Sequence, residues 1–327
     1  MIISRTPLRI SFFGGGTDYP AWFKERGGAV LATTIDKYAY IICRYLPPFF
    51  EHKSRIVWSL IELINRPSEI KHPSVRECLK YMKIKKGVEI HYYGDLPARS
   101  GLGSSSAFTV GFLNALYALK GKNISKMQLA KEAIHLEHKI LKESVGCQDQ
   151  VITAFGGLNL IEFKKDSDFN ISPVIINRER LKLFQEHLML IFTGFTRNAP
   201  DIAKEWIKQA KLKTKEFKTL HDLVFEGVGI LNSNMDILKF GKLLHEAWLV
   251  KRSLDTKIAT ALIDEIYSTA RRSGAPGGKI LGAGGGGFLL IFAPPHIQLK
   301  IKSKLKKFLC IPFKLENLGS QIMLYQP

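Results

Sequence analysis

No run in this 327-residue chain approaches the ~18 uninterrupted apolar residues that a membrane-spanning helix requires, although 46% of its residues are apolar. The expectation is a chain that folds in water around a sizeable core, with no membrane partner. Cysteine is scarce too. Cys43, Cys78, Cys147 and Cys310 lie far apart with no C-x-x-C pair, which argues against both a disulfide framework and a zinc site. The opening residues Met1 to Arg5 lack the basic segment, apolar stretch and small-residue cleavage site of a secretory signal, which predicts a cytoplasmic address. Acidic residues are also few, 29 against 48 basic ones, giving a net charge of +19. Such an excess suits nucleic acid, an acidic surface or an anionic small molecule. The densest basic run, Lys300 to Lys307, interleaves with Ile297, Ile301, Leu305 and Phe308 at helical spacing. That pattern reads as a solvated helix face, and no nucleic-acid motif accompanies it.

At this length two domains sharing a cleft are favoured over one large core. No internal repeat or low-complexity linker marks the boundary, and a soft division near Asn170 gives units of 1–170 and 171–327. Strand-like segments are Ile2 to Arg5, two runs within Ala29 to Tyr45 around Asp36-Lys37, Val88 to Tyr92, Leu188 to Phe192, Phe288 to Phe292, Ile311 to Leu315 and Ile322 to Tyr325. The spacing predicts helices near Ser74 to Lys85, Ser105 to Leu119, Ala203 to Lys218 and Phe240 to Ser253. Another starts at a capping box on Ser125 and runs to about Lys142.

The strongest local signal is Pro97-Ala98-Arg99-Ser100-Gly101-Leu102-Gly103-Ser104-Ser105-Ser106-Ala107, between a strand and a helix. Small residues let the backbone approach a ligand closely, and amides at a helix N-terminus can cradle phosphate oxygens. The bland reading is a turn that caps a helix, which rarely needs so many serines and glycines at one junction. Two better-known nucleotide motifs fail. Gly274 to Ile280 has the wrong spacing for a Walker A loop, and Ile280 stands where a Ser or Thr is needed. Gly282 to Gly287 fits the dinucleotide fingerprint in letters only, because a strand follows it and no acid occurs between Gly287 and Glu316. It remains a close-packing backbone segment that lines a cleft.

Glu137 falls on the apolar face of its helix, in phase with Ala133, Ile134, Ile140 and Leu141. A carboxylate there meets a buried partner or holds a cation, and the sequence leaves both open. Asp149, in Gly146-Cys147-Gln148-Asp149-Gln150, reads on its own as a turn cap. Arg9 in a strand and Asp18 closing Gly14 to Asp18 are unremarkable singly.

Taken together, Pro7 to Asp18, Pro97 to Ala107 and Gly282 to Phe288 resemble, in order, the three motifs of the GHMP small-molecule kinases, across nearly the whole chain. The resemblance implies an α+β, two-domain fold with ATP and substrate in the inter-domain cleft. It assigns Pro97, Ser100, Gly101, Leu102, Gly103, Ser104, Ser105, Ser106 and Ala107 to ATP, and Ser105 with Glu137 to Mg2+. Asp149 becomes the catalytic carboxylate and Arg9 its basic partner, which overturns the turn-cap reading. Lys279 is a weaker candidate to assist. Gly15, Gly16, Thr17, Asp18, Thr196, Arg197, Gly284 and Gly285 would meet the acceptor.

Where galactokinases carry Gly-Glu-His-Thr-Asp-Tyr this chain has Gly14-Gly15-Gly16-Thr17-Asp18-Tyr19, so galactose is not expected. The pattern, with Gln148-Asp149-Gln150, Thr193-Gly194 and Thr196-Arg197, looks like the D-glycero-D-manno-heptose 7-phosphate kinases of surface-glycan synthesis. These phosphorylate an anomeric hydroxyl, and a phosphorylated acceptor would give Arg197 and Lys204 a purpose. Fucose or a hexose is the nearest rival acceptor, and a sugar and ATP sensor without turnover is the rival from another class. A homo-oligomer is compatible with the sequence.

Overall fold

The computed structural model describes residues 1–194 and 212–326. The expected acceptor residues Thr196 and Arg197, with Lys204, lie outside these. The first half is built on strands β1 (Ile2–Phe13), β2 (Gly28–Tyr45), β3 (Ser54–Val57), β4 (Ile61–Ile64), β5 (Val88–Gly94), β6 (Leu158–Phe163) and β7 (Phe169–Pro173). With β12 (Leu315–Glu316) and β13 (Gln321–Tyr325) they form a nine-stranded sheet. Its main path is β13-β1-β2-β5-β3-β4, with β6 and β12 also on β2 and β7 on β6. The second sheet is β11-β8-β10-β9, from β8 (Leu188–Phe192), β9 (Gly277–Ile280), β10 (Phe288–Phe292) and β11 (Cys310–Ile311).

The nine-stranded sheet owes its cleft-facing geometry to alternation along β1. Leu8, Ile10 and Phe12 point into the core, which leaves Arg9 and Ser11 on the opposite face. The β1–β2 register shifts between Pro7 and Leu8, where a proline without an N–H is tolerated, and again between Ser11 and Phe13. β2 is one continuous strand, not two runs joined at Asp36-Lys37. The correction has a long-range cause: Asp36 N donates to Lys314 O at 2.9 Å, and Lys314 N donates to Asp36 Oδ1 at 2.8 Å. Likewise the segment Ile311 to Leu315 is not one strand. Ile311 pairs with Leu190 in the small sheet and Leu315 with Ile35 in the large one, so the chain crosses between sheets there.

Helices pack on these sheets where the periodicity predicts most of them. In the first half are α1 (Pro20–Arg26), α2 (Pro73–Tyr81), α3 (Ser104–Leu119), α4 (Lys126–His135) and α5 (Gln148–Phe155). In the second are α6 (Arg178–Glu186), α7 (Thr214–Leu231), α8 (Leu238–Leu254), α9 (Ala261–Arg272) and α10 (Pro295–Lys304). The start of the helix expected over Ala203 to Lys218 lies outside the described residues, and its end continues as α7 to Leu231. Ser125 caps α4 as expected, accepting from Gln128 N at 3.2 Å. The helix expected to reach Lys142 instead widens into a π turn over Leu136–Ile140, closed by Leu141 N to Leu136 O at 2.8 Å.

A buried aromatic cluster ties the halves together. Phe12 and Phe13 of β1 meet Phe240 of α8 edge-on, with ring centroids 5.5 and 5.1 Å apart, and Phe240 meets Phe292 of β10 at 5.6 Å. No helix among the described residues is long and apolar enough to cross a membrane. A division near residue 170 stays a proposal. β7 spans that position, and the last strands of the chain belong to the first sheet.

Candidate active site

A cleft of about 450 Å³ opens where β1, α3, α5 and the loop after β9 converge. The glycine-serine loop forms one wall. Gly101 and Gly103 adopt φ of 84° and 73°, and Arg99 adopts 59°, so the chain turns sharply into α3. Gly103 is the N-cap and supplies no side-chain acceptor, which leaves the first-turn amides of α3 without a capping partner from that position. Gly101, Gly103, Ser104, Ser105 and Ser106 line the cleft. Leu102 and Ala107 are buried in the core instead, Pro97 is exposed, and the buried Ser100 accepts Phe288 N on its carbonyl at 3.1 Å.

Facing this wall is the pair Arg9 and Asp149. Arg9 Nε and Nη2 each donate to one Asp149 oxygen at 2.7 Å, a bidentate fork, and Nη1 donates to Gly101 O at 2.6 Å. Arg9 is therefore clamped between the carboxylate and the glycine loop. A Cβ on Gly103 would stand 3.0 Å from Arg9 Cγ and 3.2 Å from Asp149 Oδ2, so the glycine makes room for the pair. Asp149 does not sit in a turn. It occupies the first turn of α5, where the helix N-terminus favours a negative charge.

Asp18 lines the same cleft as the pair and is fully buried. Its oxygens accept from Gly16 N at 2.9 Å and Gln148 N at 3.2 Å, yet burial pushes its pKa up to about 6, with Asp149 adding to the rise. The loop reaches this close because residue 146 is glycine: a Cβ there would overlap Asp18 Oδ2. Gly15 and Gly16 line the cleft with Asp18. Thr17 is used otherwise, its hydroxyl donating at 2.8 Å to Gly14 O or Ala29 O and accepting from Ala29 N, so it shapes the loop from behind.

Glu137, on the π turn, is buried behind the serine loop. The hydroxyl that meets it belongs to Ser106, donating to Oε2 at 3.0 Å, whereas Ser105, which the family resemblance assigns with Glu137 to Mg2+, is exposed on the cleft wall. Gln150 Nε2 also donates to Oε2, while Oε1 is buried with no hydrogen-bond partner. Burial and then Glu143 push the Glu137 pKa up to about 8. A buried carboxylate oxygen without a donor, near a second carboxylate and serine hydroxyls, is a donor set that suits a hard divalent cation.

The third motif closes the site by backbone contact. A Cβ on Gly101 would lie 2.5 Å from Leu281 O, and one on Gly282 would lie 2.6 Å from Gly101 Cα. Gly282 and Ala283 face the cleft, whereas Gly284 and Gly285 pack on Ile258, with Gly285 N donating to Ile258 O at 2.9 Å. Lys279 is buried at the cleft edge, as is Lys251, which sequence reasoning overlooked. Lys251 falls in phase with Ala247, Trp248 and Leu254 on the buried face of α8, so the test that singled out Glu137 finds it too.

Sequence models of two domains match the chain, the GHMP kinases N terminal domain over residues 71–157 and the GHMP kinases C terminal over 228–309. The chain belongs to the GHMP kinase family. Among GHMP-type relatives, a D-glycero-alpha-D-manno-heptose 7-phosphate kinase from Campylobacter jejuni is 27% identical over 94% of this chain and 93% of its own length. The bifunctional fucokinase/GDP-fucose pyrophosphorylase of Arabidopsis thaliana is 24% identical over 95% of this chain, which spans 32% of that protein. A crystal structure of a D-glycero-D-manno-heptose 1-phosphate kinase from Bacteroides thetaiotaomicron superposes over the full length of both chains, with a TM-score of 0.82 and 22% identity. A mevalonate kinase structure covers 97% of this chain at a TM-score of 0.73 and 21% identity. Both superpositions establish the two-domain α+β GHMP fold.

Proposed function

We propose that this GHMP kinase transfers the γ-phosphoryl group of ATP to the anomeric hydroxyl of D-glycero-D-manno-heptose 7-phosphate, giving the 1,7-bisphosphate for nucleotide-activated heptose and surface-glycan synthesis. The observation that carries the transfer reading is the Arg9–Asp149 fork set against the glycine-serine loop. Phosphoryl transfer needs positioning and charge stabilisation more than covalent help, and this geometry supplies both.

Amides and hydroxyls of Gly101 to Ser106 hold the ATP phosphates at the N-terminus of α3. Asp149 orients the acceptor hydroxyl and takes its proton as the new P–O bond forms and the bond to the β-phosphate oxygen breaks. Arg9, fixed by Asp149 and Gly101 O, offers its positive charge to the transferring oxygens. Glu137 with the hydroxyls of Ser105 and Ser106 would hold Mg2+, whose chemistry is to neutralise charge on the β- and γ-phosphates. Asp18, with Gly15 and Gly16, hydrogen-bonds acceptor hydroxyls. The heptose assignment is supported by the full-length match to the Campylobacter jejuni heptose phosphate kinase, and the fucokinase relative supplies the competing acceptor.

The test is ADP release with ATP, Mg2+ and a panel of D-glycero-D-manno-heptose 7-phosphate, mannose, fucose and galactose. The expected result is the highest kcat/KM for the heptose phosphate. Preference for fucose would keep the kinase and replace the acceptor, whereas binding without ADP release on every sugar would make the protein a sensor.

A further inference from the structure

The cleft contains two buried lysines that the reading above does not use. Lys279 and Lys251 are each 5% exposed, and both line the cleft wall. Lys279 Nζ donates to Ser11 O at 3.1 Å and Phe12 O at 2.7 Å; Lys251 Nζ donates to Ile280 O at 3.1 Å and Gly282 O at 2.5 Å. An ammonium group has three N–H donors, so two carbonyls leave Lys279 one more to give. No carboxylate lies within ion-pair distance of Lys279 among the described residues. The neighbouring acids are otherwise engaged. Asp149 is forked on Arg9, and Asp18 accepts backbone amides.

Carbonyl bracing alone does not account for Lys279, because burying an ammonium is costly without an opposite charge. A second feature beside it points to a ligand. Ser11, whose carbonyl Lys279 holds, is 5% exposed and lines the cleft, and its hydroxyl has no hydrogen-bond partner. The Oε1 of Gln148, which lines the same cleft, is also buried without a partner, and as an acceptor it suits a hydroxyl of the ligand, not its phosphate. Burial and the charge of Arg9 hold Lys279 down to about 7, the behaviour of a cation lacking its anion.

We propose that Lys279 and the Ser11 hydroxyl, with Lys251 as a neighbouring N–H donor, form a second anion subsite in the cleft, separate from the glycine-serine loop, that takes a phosphoryl group. The inference rests on the kinase reading. The phosphoryl group has two sources, the phosphate already on the acceptor sugar or the group in transit from ATP, and kinetics separates them.

The experiment compares wild type, Lys279→Gln and Ser11→Ala on D-glycero-D-manno-heptose and its 7-phosphate, which differ only in the phosphate. Acceptor binding without ATP is followed by calorimetry. If the subsite holds the acceptor phosphate, Lys279→Gln raises KM and calorimetric Kd for the 7-phosphate by about 30-fold or more and leaves those for the unphosphorylated sugar within about 2-fold. If it holds the group in transit, kcat falls by about 100-fold for both sugars while acceptor Kd stays unchanged. Ser11→Ala shifts the same parameter by a smaller factor, and it carries the test should Lys279→Gln fail to fold. The subsite is overturned if folded variants keep kcat, KM and Kd of both sugars within about 2-fold of wild type, or if only the KM for ATP moves. Absence of ADP release by wild type would instead sink the kinase reading, with the calorimetric comparison still judging the subsite.

Discussion

Asp149 works, on this reading, because Arg9 orients it and the glycine loop holds Arg9. Asp149→Asn preserves the size of the side chain and removes the base. It is expected to lower kcat by about 100-fold or more while leaving ATP affinity intact. A steady-state comparison with nucleotide titration checks this, and full activity would remove Asp149 from the chemistry. The two partners stand 140 positions apart in the chain, so nothing in their local spacing announces the fork. Only the family resemblance did. Glu137 was different, legible from helical phase as a buried acid, though which serine hydroxyl meets it depends on a π turn that phase does not encode. Its protonation gives a pH signature. Burial raises the Glu137 pKa from 4.5 to about 8, and that of Asp18 from 3.8 to about 6. In both cases the folded protein retains a proton that the unfolded chain loses, so stability falls as pH rises through those windows. Without magnesium, the melting temperature should decline between pH 5 and 8. Glu137→Gln should flatten the decline across the whole range and Asp18→Asn only below about pH 6. Unchanged slopes by scanning calorimetry would remove these groups as the cause.

At the scale of elements, the site is a meeting of loops whose glycines let backbones touch. The sequence marked Gly101, Gly103 and Gly282 to Gly287 as close-approach segments, and the contacts of Gly101 with Leu281 and Gly282 explain why both clusters are needed. Gly146 carried no such mark, because a single glycine before a helix reads as an ordinary boundary; its reason is the Asp18 carboxylate that its missing side chain admits. The two-run reading of Ala29 to Tyr45 failed for a related reason. Local turn chemistry at Asp36-Lys37 was outcompeted by pairing with a strand nearly 280 positions later. The glycine argument makes a prediction at this scale. Gly146→Ala should push the α5 N-terminal loop off Asp18, raising acceptor KM by about 10-fold or more with ATP KM nearly unchanged. Equal changes in both constants would instead indicate a general loosening of the fold.

On the scale of the whole molecule, two fastenings join the halves among the described residues in addition to the loop contacts at the cleft. The last strands return to the first sheet, where Thr34 Oγ1 donates to Glu316 O at 2.6 Å and β13 pairs along β1. The other fastening is the aromatic cluster, in which β1 contributes Phe12 and Phe13, and the second half contributes Phe184, Phe240 and Phe292. Periodicity placed Phe240 in a helix and Phe292 in a strand, but not in one shared core, since that is decided by which sheet face each half presents to the other. β1 carries Leu8, Ile10, Phe12 and Phe13 into the shared core and Arg9 and Ser11 into the cleft. Packing between the halves therefore fixes the site's geometry. Phe240 is fully buried, and Phe240→Ala should cost about 3–5 kcal/mol through lost contacts and the cavity left behind. If the shared core couples the halves, denaturant unfolding of wild type follows one transition by both tryptophan fluorescence and circular dichroism, and Phe240→Ala moves that transition to lower denaturant by both probes. Separation of the two signals in the wild type would mean that the halves unfold independently, and the cleft would then owe its shape to the loops alone.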